Sequence, residues 1–320
     1  MSKSKLYILS GNTITECAVL DGINIEWHRK GMPGKMTFTI YKDEALSFEE
    51  GNAVRFEYDG NKMFFGFVFT KKRKDLITIT VTVYDQLRYF KNKETYVYTN
   101  KTATQVLQMI ANDFSLQIGS LDNTKHIIPS RVEDDKELFT IVDNALVLTS
   151  GNTKEHYVYY DDFGKLTLKN VKDMKLDLLI DESSGEAFDY TTSIDEGTYN
   201  RIKLVRENKE SGKREVFVAQ STQTMNQWGI LQYTEKLDEG ENGKAKANEL
   251  LAQLNKKSRK LHINKVFGDV RVRGGSVIGV QMGLGDLNVA NFMLVETVKH
   301  TFNDNDHRMD LKLVGGEFSA

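Results

Sequence analysis

The clearest pattern in the chain lies at residues 77–83, where Ile77, Ile79, Val81 and Val83 alternate with Thr78, Thr80 and Thr82. A period of two puts the aliphatic set on one face of a strand and the hydroxyls on the other. KMTFTIY at 35–41 alternates likewise, with Met36, Phe38 and Ile40 against Thr37 and Thr39. Between them, FEEGNAVRFEYDGNKMFFGFVFT predicts a hairpin: a strand at 53–58, a turn at Asp59-Gly60-Asn61 and an aromatic strand at 63–69. Asp-Gly supplies the positive φ of a tight primed turn. Strands joined by short turns, with no helix between them, imply an antiparallel sheet or small barrel ending near Asp85.

At YDQLRYFKNKETYVYTN, residues 84–100, the period changes. Thr102 and Gln105 make a capping box, and Val106, Leu107, Ile110, Ala111 and Phe114 form the apolar stripe of a helix. A second helix is predicted from about Lys136 to Leu148, with Leu138, Ile141, Val142, Ala145 and Leu146 inward and Asp134 or Asp135 at its start. EHYVYYDDFGKLTLKN predicts a hairpin turning at Asp161 to Gly164. DESSGEAFDYTTSIDEGTYN has turn chemistry and little periodicity, so this middle segment ends between 180 and 195.

The third segment returns to strands. RIKLV and REVFVAQ flank NKESGK as a hairpin, and a helix follows from about Gly243 to Arg259 with Leu250, Leu251 and Leu254 as its stripe. VRVRGGSVIGV, NFMLVETVKHTF and RMDLKLV complete it. Its end echoes the first segment: Gly51, Val54 and Phe56 align with Gly275, Ile278 and Val280, FFGFV with FMLVETV, and strand 77–83 with 308–313. A duplication of this kind implies barrel, α/β insert, barrel.

Composition mainly excludes. In 320 residues, 43 basic groups face 45 acidic ones, so no net field draws the chain to nucleic acid or anionic lipid. The single Cys17 rules out an internal disulfide and points to cytoplasmic synthesis. The start, MSKSKLYILSGNTITE, lacks the apolar run of a signal peptide, and no stretch reaches the roughly 20 apolar residues of a membrane helix.

Catalytic patterns are missing. His28, His126, His156, His262, His300 and His307 make no HExxH and no i, i+4 pair. His300 and His307 flank a predicted turn at 304–306 and are expected to be solvated rather than metal-bound. Asp304 and Asp306 begin like a calcium loop whose glycine and terminal glutamate are missing. Glu133, Asp134, Asp135 and Glu137 are expected at a helix start, matched to its dipole, and Asp161 and Asp162 in a turn. No GxSxG, Walker loop or GxGxxG occurs, and neither GMPGK nor GLGD sits between a strand and a helix. Cys17, in ECAVLDGI, is expected to be a small core residue of an early strand. The runs Lys71-Lys72-Arg73-Lys74 and Lys256-Lys257-Ser258-Arg259-Lys260 are expected to be a solvated loop and a helix C-terminus. No catalytic residue, cofactor or metal ligand is assigned, and no enzyme is expected.

Several segments in fixed order carry a resemblance. YDQLRYFKNKETYVYTNKTATQVLQMIANDF, IPSRVEDDKELFTIVDNALVLT, YVYYDDFGKLTLKNV, FDYTTSIDEGTYNRIKLVRENKESGKREVFVAQ, WGILQYTEKLDEGENGKAKANELL and GDVRVRGGSVIGV resemble the XkdQ/YqbQ-type proteins of defective prophages in Gram-positive bacteria. That family is similar in role to the central baseplate hub of contractile phage tails and phage-tail-like bacteriocins.

The resemblance implies an α+β, β-dominated chain. Two tube-protein-like antiparallel β-barrel domains, 1–86 and 191–320 with a helix near 243–259, would flank an α/β domain at 87–190. It further implies a homotrimeric adaptor between the six-fold tail tube and the trimeric central spike, in contact with neighbouring baseplate proteins. DNA would pass through the lumen without specific binding, and no membrane would be engaged. The protein would be made in the host cytoplasm and reside in the baseplate of a virion or tail-like particle. Phe64, Phe65, Phe67 and Phe69 are then candidates for an interface, or for cover by the α/β domain of the same chain. Thr78, Thr80 and Thr82 are candidates for a lumen-facing surface. The alternatives are a cell-wall hydrolase or carbohydrate-binding module at the tail tip, and a DNA-binding baseplate component. The first lacks an acid–base or Cys/His pair and the second lacks basic charge.

Overall fold

A computed structural model describes residues 3–20, 22–42, 46–73, 75–195, 197–207, 214–237, 242–303 and 305–315. Seven strands come first: β1 (Ser4–Ser10), β2 (Thr13–Glu16), β3 (Ile23–His28), β4 (Lys35–Tyr41), β5 (Ala53–Tyr58), β6 (Asn61–Lys72) and β7 (Thr78–Tyr84). They lie side by side in the order β3-β4-β7-β6-β5-β1-β2, each pair antiparallel. Asp59 and Gly60 hold φ of 49° and 78°, the signs the primed turn requires.

The middle stretch opens with a 3-10 turn at Gln86–Lys91 and continues through β8 (Lys93–Lys101), α1 (Ala103–Asp113), β9 (Ile118–Leu121), β10 (Ile128–Glu137), α2 (Leu138–Thr153), β11 (Tyr157–Asp161) and β12 (Leu166–Asn170). The capping box forms as the sequence predicts, with the Thr102 hydroxyl accepting from the Gln105 amide and the Gln105 side chain accepting from the Thr102 amide. Val106, Leu107, Ile110 and Ala111 of α1 meet Leu138, Ile141, Val142 and Ala145 of α2 in one core with Phe90, Tyr159 and Leu168. Each of the valine, leucine, isoleucine and phenylalanine side chains contributes about 1.5–3 kcal/mol on burial.

Helix α2 starts two residues later than predicted, because β10 runs on to Glu137. Glu133, Asp134 and Asp135 are therefore in a strand and not at a helix start, while Glu137 ends the strand and is the N-cap of α2. Asp134 and Asp135 fall at a bulge between Glu133 and Lys136. The fully buried Glu133 carboxylate takes Lys136 Nζ at 2.9 Å, Arg131 Nη2 at 3.2 Å and Asn144 Nδ2 at 3.0 Å.

After β13 (Lys175–Asp181) and β14 (Ala187–Ser193) come β15 (Arg201–Glu207), β16 (Arg214–Gln220), α3 (Thr222–Trp228), β17 (Gln232–Lys236) and α4 (Gly243–Leu254). The chain closes with β18 (Ser258–Phe267), β19 (Val277–Gly283), β20 (Asn288–Asn303) and β21 (Asp306–Val314). It divides into two compact units, Met1–Asp189 with His262–Gly316, and Tyr190–Leu261.

In the smaller unit, β15 pairs antiparallel with β16 and parallel with β17. Ile202, Leu204 and Ala219 pack against Ala247 and Leu250 of α4. The hairpin of β15 and β16 is as predicted, while its NKESGK turn lies outside the described residues. Helix α4 ends at Leu254 and not at Arg259, since alternation through Leu261 and Ile263 claims Ser258 onward for β18. The residues read as turn chemistry at 187–193 form β14.

A second array runs β14-β18-β21-β20, with β19 also against β20 and β13 against β19, and its residues 190–193 and 258–261 fall in the smaller unit. It joins the first array through β20 and β3, which pair from Thr297↔His28 to Phe302↔Ile23. The architecture is thus β-dominated and largely antiparallel, with both arrays in one sheet. Among the described residues no sheet closes into a barrel.

The meanders β5-β6-β7 and β19-β20-β21 share more than order. Gly51 and Gly275 hold φ of 91° and 94°. The Gly51 amide donates to the Val68 carbonyl at 2.8 Å, and the Gly275 amide to that of Val295 at 2.8 Å. In return the Val68 amide donates to Asn52 O at 2.9 Å and the Val295 amide to Ser276 O at 2.8 Å. Each long strand then bulges at the next step, between Val68 and Thr70 and between Val295 and Thr297.

Candidate assembly surfaces

Register turns alternation into a surface. Thr80 lies opposite Thr39 and Thr82 opposite Thr37, with 3.1 Å between the Thr39 and Thr80 hydroxyls. On the same face, Thr70 and Lys72 flank the β7 threonines. The face continues through Asn24, Glu26 and His28 of β3 to Thr297, Lys299 and Thr301 of β20, then to Arg308, Asp310 and Lys312 of β21. The Thr301 hydroxyl donates to Asn24 Oδ1 at 2.9 Å, and His28 Nε2 lies 3.0 Å from Glu26 Oε1. The opposite face of these strands is the core, with Ile25, Met36, Phe38, Val81, Val298 and Leu311 buried. One continuous face, six strands wide, is therefore hydroxyl-rich and mixed in charge.

The four phenylalanines divide by pleat. Phe64 points into the core, 2 % exposed. Phe65 and Phe67 lie half-buried on the hydroxyl face, further along the strand, and Phe69 sits at the bulge. Phe65 meets the Phe163 ring at 6.0 Å, while Phe69 meets Tyr84 at 5.4 Å and Tyr89 at 6.4 Å. The Arg88 guanidinium lies 5.5 Å from the Phe69 ring. Their half-exposed edges are thus met by the 3-10 turn and the β11–β12 hairpin of the same chain.

Sequence reasoning passed over a buried polar cluster where the first array meets the middle stretch. Asp85 caps the 3-10 turn, accepting from the Leu87 amide at 3.0 Å and, through its other oxygen, from the Gly34 amide at 2.9 Å. Asp161 accepts from Gln86 Nε2 at 2.8 Å and from the Gly164 amide at 2.6 Å. Arg273 lies 4.1 Å from the Tyr160 ring and 5.1 Å from that of Trp27, and donates to the Asp161 carbonyl at 3.3 Å. Burial and the neighbouring Asp161 charge push the Asp85 carboxyl well up. Burial pushes Asp161 up to about 6. The signal available in sequence was an aspartate placed directly after the clearest strand, an N-cap position. Gly34 of the GMPGK segment belongs here, for a Cβ would stand 2.3 Å from Asp85 Oδ2.

His300 is fully buried and His307 only partly exposed, so neither is the solvated imidazole expected. Register places His300 on the core face, where its Nε2 donates to Val272 O at 2.9 Å and its Nδ1 faces His307 Nε2 at 2.8 Å. The two rings stack on Phe302 at 5.9 and 4.2 Å. Burial pushes His300 down to about 3 and His307 down to about 4, so both are neutral donors and acceptors. Asp304 lies outside the described residues, among which no group of three or more His, Cys, Asp or Glu is placed to hold a metal ion. Cys17 follows β2 and is half-buried, its thiol pushed up to about 11 by burial. Of the basic runs, Lys71 is tied to Phe48 O at 2.8 Å and Glu50 at 3.4 Å, Lys72 and Arg73 are exposed, and Lys74 is outside the described residues. The second run straddles the start of β18 instead of ending a helix. No helix among the described residues is long and apolar enough to cross a membrane.

Comparison with known proteins agrees with this architecture. The chain is 29 % identical over 306 residues to phage-like element PBSX protein XkdQ of Bacillus subtilis (strain 168), covering 92 % of each. Its fold is similar to the 43 kDa tail protein of prophage MuSo2 from Shewanella oneidensis, with a TM-score of 0.72 at 12 % identity over 98 % of this chain and 97 % of that one. The tail protein from Neisseria meningitidis MC58 gives 0.69 at 11 % identity, over 97 % and 96 % of the two chains. The YQBQ-like family model matches residues 23–314, and the chain belongs to that family.

Proposed function

We propose that the chain is a structural hub of a contractile-tail baseplate, a homotrimeric adaptor joining a six-fold tail tube to a trimeric central spike. The observation that carries this reading is the duplicated meander, Gly51–Val68–Thr70 and Gly275–Val295–Thr297. Two copies of one architecture per chain give six in a trimer, which meets six-fold symmetry on one side and three-fold on the other. Residues 1–86 and 191–320 would supply the two tube-like domains, each a wall of a shared barrel rather than a closed barrel of its own. The α/β domain at 87–190 would lie between them in sequence.

Strand pairing suggests how such a ring would close. Beyond Val295, β20 uses its flank to pair β3. The equivalent flank of β6, at Thr70–Lys72, has no strand partner among the described residues. Strand β14 ends the second array as β3 ends the first within its own, next to β18 as β3 is next to β4. Repeating the β20–β3 contact as β6 against a neighbour's β14 would cover both edges, which isolated chains leave open to aggregation. The hydroxyl face with Thr78, Thr80 and Thr82 would line the lumen, where hydrated and weakly adhesive walls let DNA pass without specific binding. Phe65, Phe67 and Phe69, partly covered within the chain, would extend into the lateral contact. Neighbouring baseplate proteins would surround the ring, which forms after synthesis in the host cytoplasm. The role needs neither enzyme activity nor cofactor, and it engages no membrane.

Light scattering of the purified chain, alone and with the spike protein of the same particle, tests this. A mass three times 36.5 kDa in either preparation is expected. Monomer in both, with no spike bound, would overturn the proposal.

A further inference from the structure

The hairpin tip between β6 and β7 holds two apolar side chains out into water. Leu76 is 91 % exposed and Ile77 66 %, with Tyr41, 50 % exposed, opposite Thr78 at the strand end. The tip is built to keep them there. Asp75 Oδ1 accepts from the amides of Ile77 and Thr78 at 2.9 and 2.6 Å, and both its oxygens take the Thr78 hydroxyl at 2.9 and 2.8 Å. The Lys42 amide donates to Ile77 O at 2.7 Å, tying the tip to the end of β4. Lys42, Lys72 and Arg73, at the ends of β4 and β6 beside the tip, are exposed.

The equivalent connection of the second meander is shorter: β20 ends at Asn303 and β21 begins at Asp306, which pairs with Arg308 at 3.0 Å. Strands that share register, bulge and glycine thus carry tips of different length and chemistry. In a ring of three chains, such tips alternate, and their end presents three knobs rather than six.

We propose that the Leu76–Ile77 tip is a docking knob for a three-fold partner protein, whose surface offers an apolar notch with an acidic rim. The inference rests on the trimeric hub reading and identifies which partner this rim of the hub serves: the trimeric spike, not the six-fold tube. Apolar anchors fixed in advance lose little freedom on binding, and the surrounding cations select an acidic rim. A protein notch fits better than an anionic bilayer. Two apolar residues bury little area, and insertion of Leu76 would draw the adjoining Asp75 carboxylate toward hydrocarbon. The hydrogen bonds from Thr78 and Ile77 hold that carboxylate below its ordinary range and hence charged.

The test uses the full chain and the purified spike and tube proteins of the same particle, with binding measured by interferometry. Leu76→Ser/Ile77→Ser and Lys42→Glu/Arg73→Glu variants are each expected to bind spike at least about tenfold more weakly. Their thermal unfolding, molar mass and tube binding should be unchanged, since the substituted side chains are exposed. Undiminished spike binding by both variants would overturn the inference and leave the hub reading standing. Loss of tube binding with spike binding intact would also overturn it. If the wild-type chain binds no spike, the hub reading fails and the inference with it. Flotation of the wild type, but not the variants, with phosphatidylglycerol vesicles while spike binding is equal would assign the tip to membrane instead.

Discussion

Gly275 occupies in the second meander the position that Gly51 holds in the first, with the same left-handed backbone and the same carbonyl partner one strand away. Their surroundings differ, and the difference predicts unequal tolerance. A Cβ at Gly51 meets nothing within 4 Å, so Gly51→Ala bears only the backbone term of about 1–2 kcal/mol. A Cβ at Gly275 would stand 2.9 Å from both Val158 methyl carbons. Gly275→Ala is therefore expected to lose more, by about 1–3 kcal/mol beyond Gly51→Ala. Urea unfolding midpoints of the two variants check the order.

His300 gives the stability a pH dependence of known sign. Burial lowers its pKa from 6.5 to about 3, so between those values the unfolded chain binds the extra proton. The stability due to neutral His300 is complete above about pH 6.5 and is lost as pH falls. His307, Asp269 and Arg273 face the same ring and act on it, with His307 and Arg273 lowering and Asp269 raising its proton affinity. His300→Phe keeps the stacking and removes the titration, but strands the Val272 carbonyl and His307 Nε2. It should be less stable than wild type at pH 7.5. That deficit should shrink by up to about 1.4 kcal/mol per pH unit below pH 6, read from paired urea melts.

Cys17 should behave as an inert thiol. With its pKa pushed up to about 11, only about one molecule in a thousand is thiolate at pH 8. Ellman's reagent should react with the folded chain at least about a hundredfold more slowly than with the urea-unfolded chain. Equal rates would contradict the burial that raises the thiol.

What was legible in the sequence follows from range. Period-two strands, the Asp59-Gly60 turn and the Thr102–Gln105 capping box are decided by residues within a few positions of one another and formed as read, except that Ile77, read on the apolar face of strand 77–83, lies exposed just before β7. Boundaries failed where two local signals competed. Glu133 to Glu137 look like a helix start, yet pairing with β8 extends β10 through them. Lys256 to Arg259 favour helix, yet alternation from Leu261 captures their end for β18. The histidine and aspartate clusters depend on contacts between segments far apart in sequence: Asp85 with Gly34, Asp161 with Gln86 and Arg273. Nothing in the local spacing of His300 and His307 shows that β20 turns His300 inward, because that depends on which face of a long strand meets the core. The duplication lay between these cases, faint in residue identity and plain in hydrogen bonding.

The Asp85–Asp161 cluster should answer pH in the opposite sense to His300. Burial raises Asp161 from 3.8 to about 6, so between those values the folded chain binds the extra proton. Its favourable contribution is complete below about pH 3.8 and is lost as pH rises through about 6. Asp161→Asn cannot ionise, and its amide nitrogen faces either Gln86 Nε2 or the Gly164 amide, donor against donor. The variant should therefore be clearly less stable than wild type at pH 4.5, with the gap narrowing by up to about 2–3 kcal/mol on going to pH 7.5. Asp161 and His300 tilt the wild-type profile in opposite directions across this range. The two variants are expected to separate from it at opposite ends. A His300→Phe/Asp161→Asn double variant would then give a profile near the sum of the single shifts, less any coupling through Arg273, which acts on both groups.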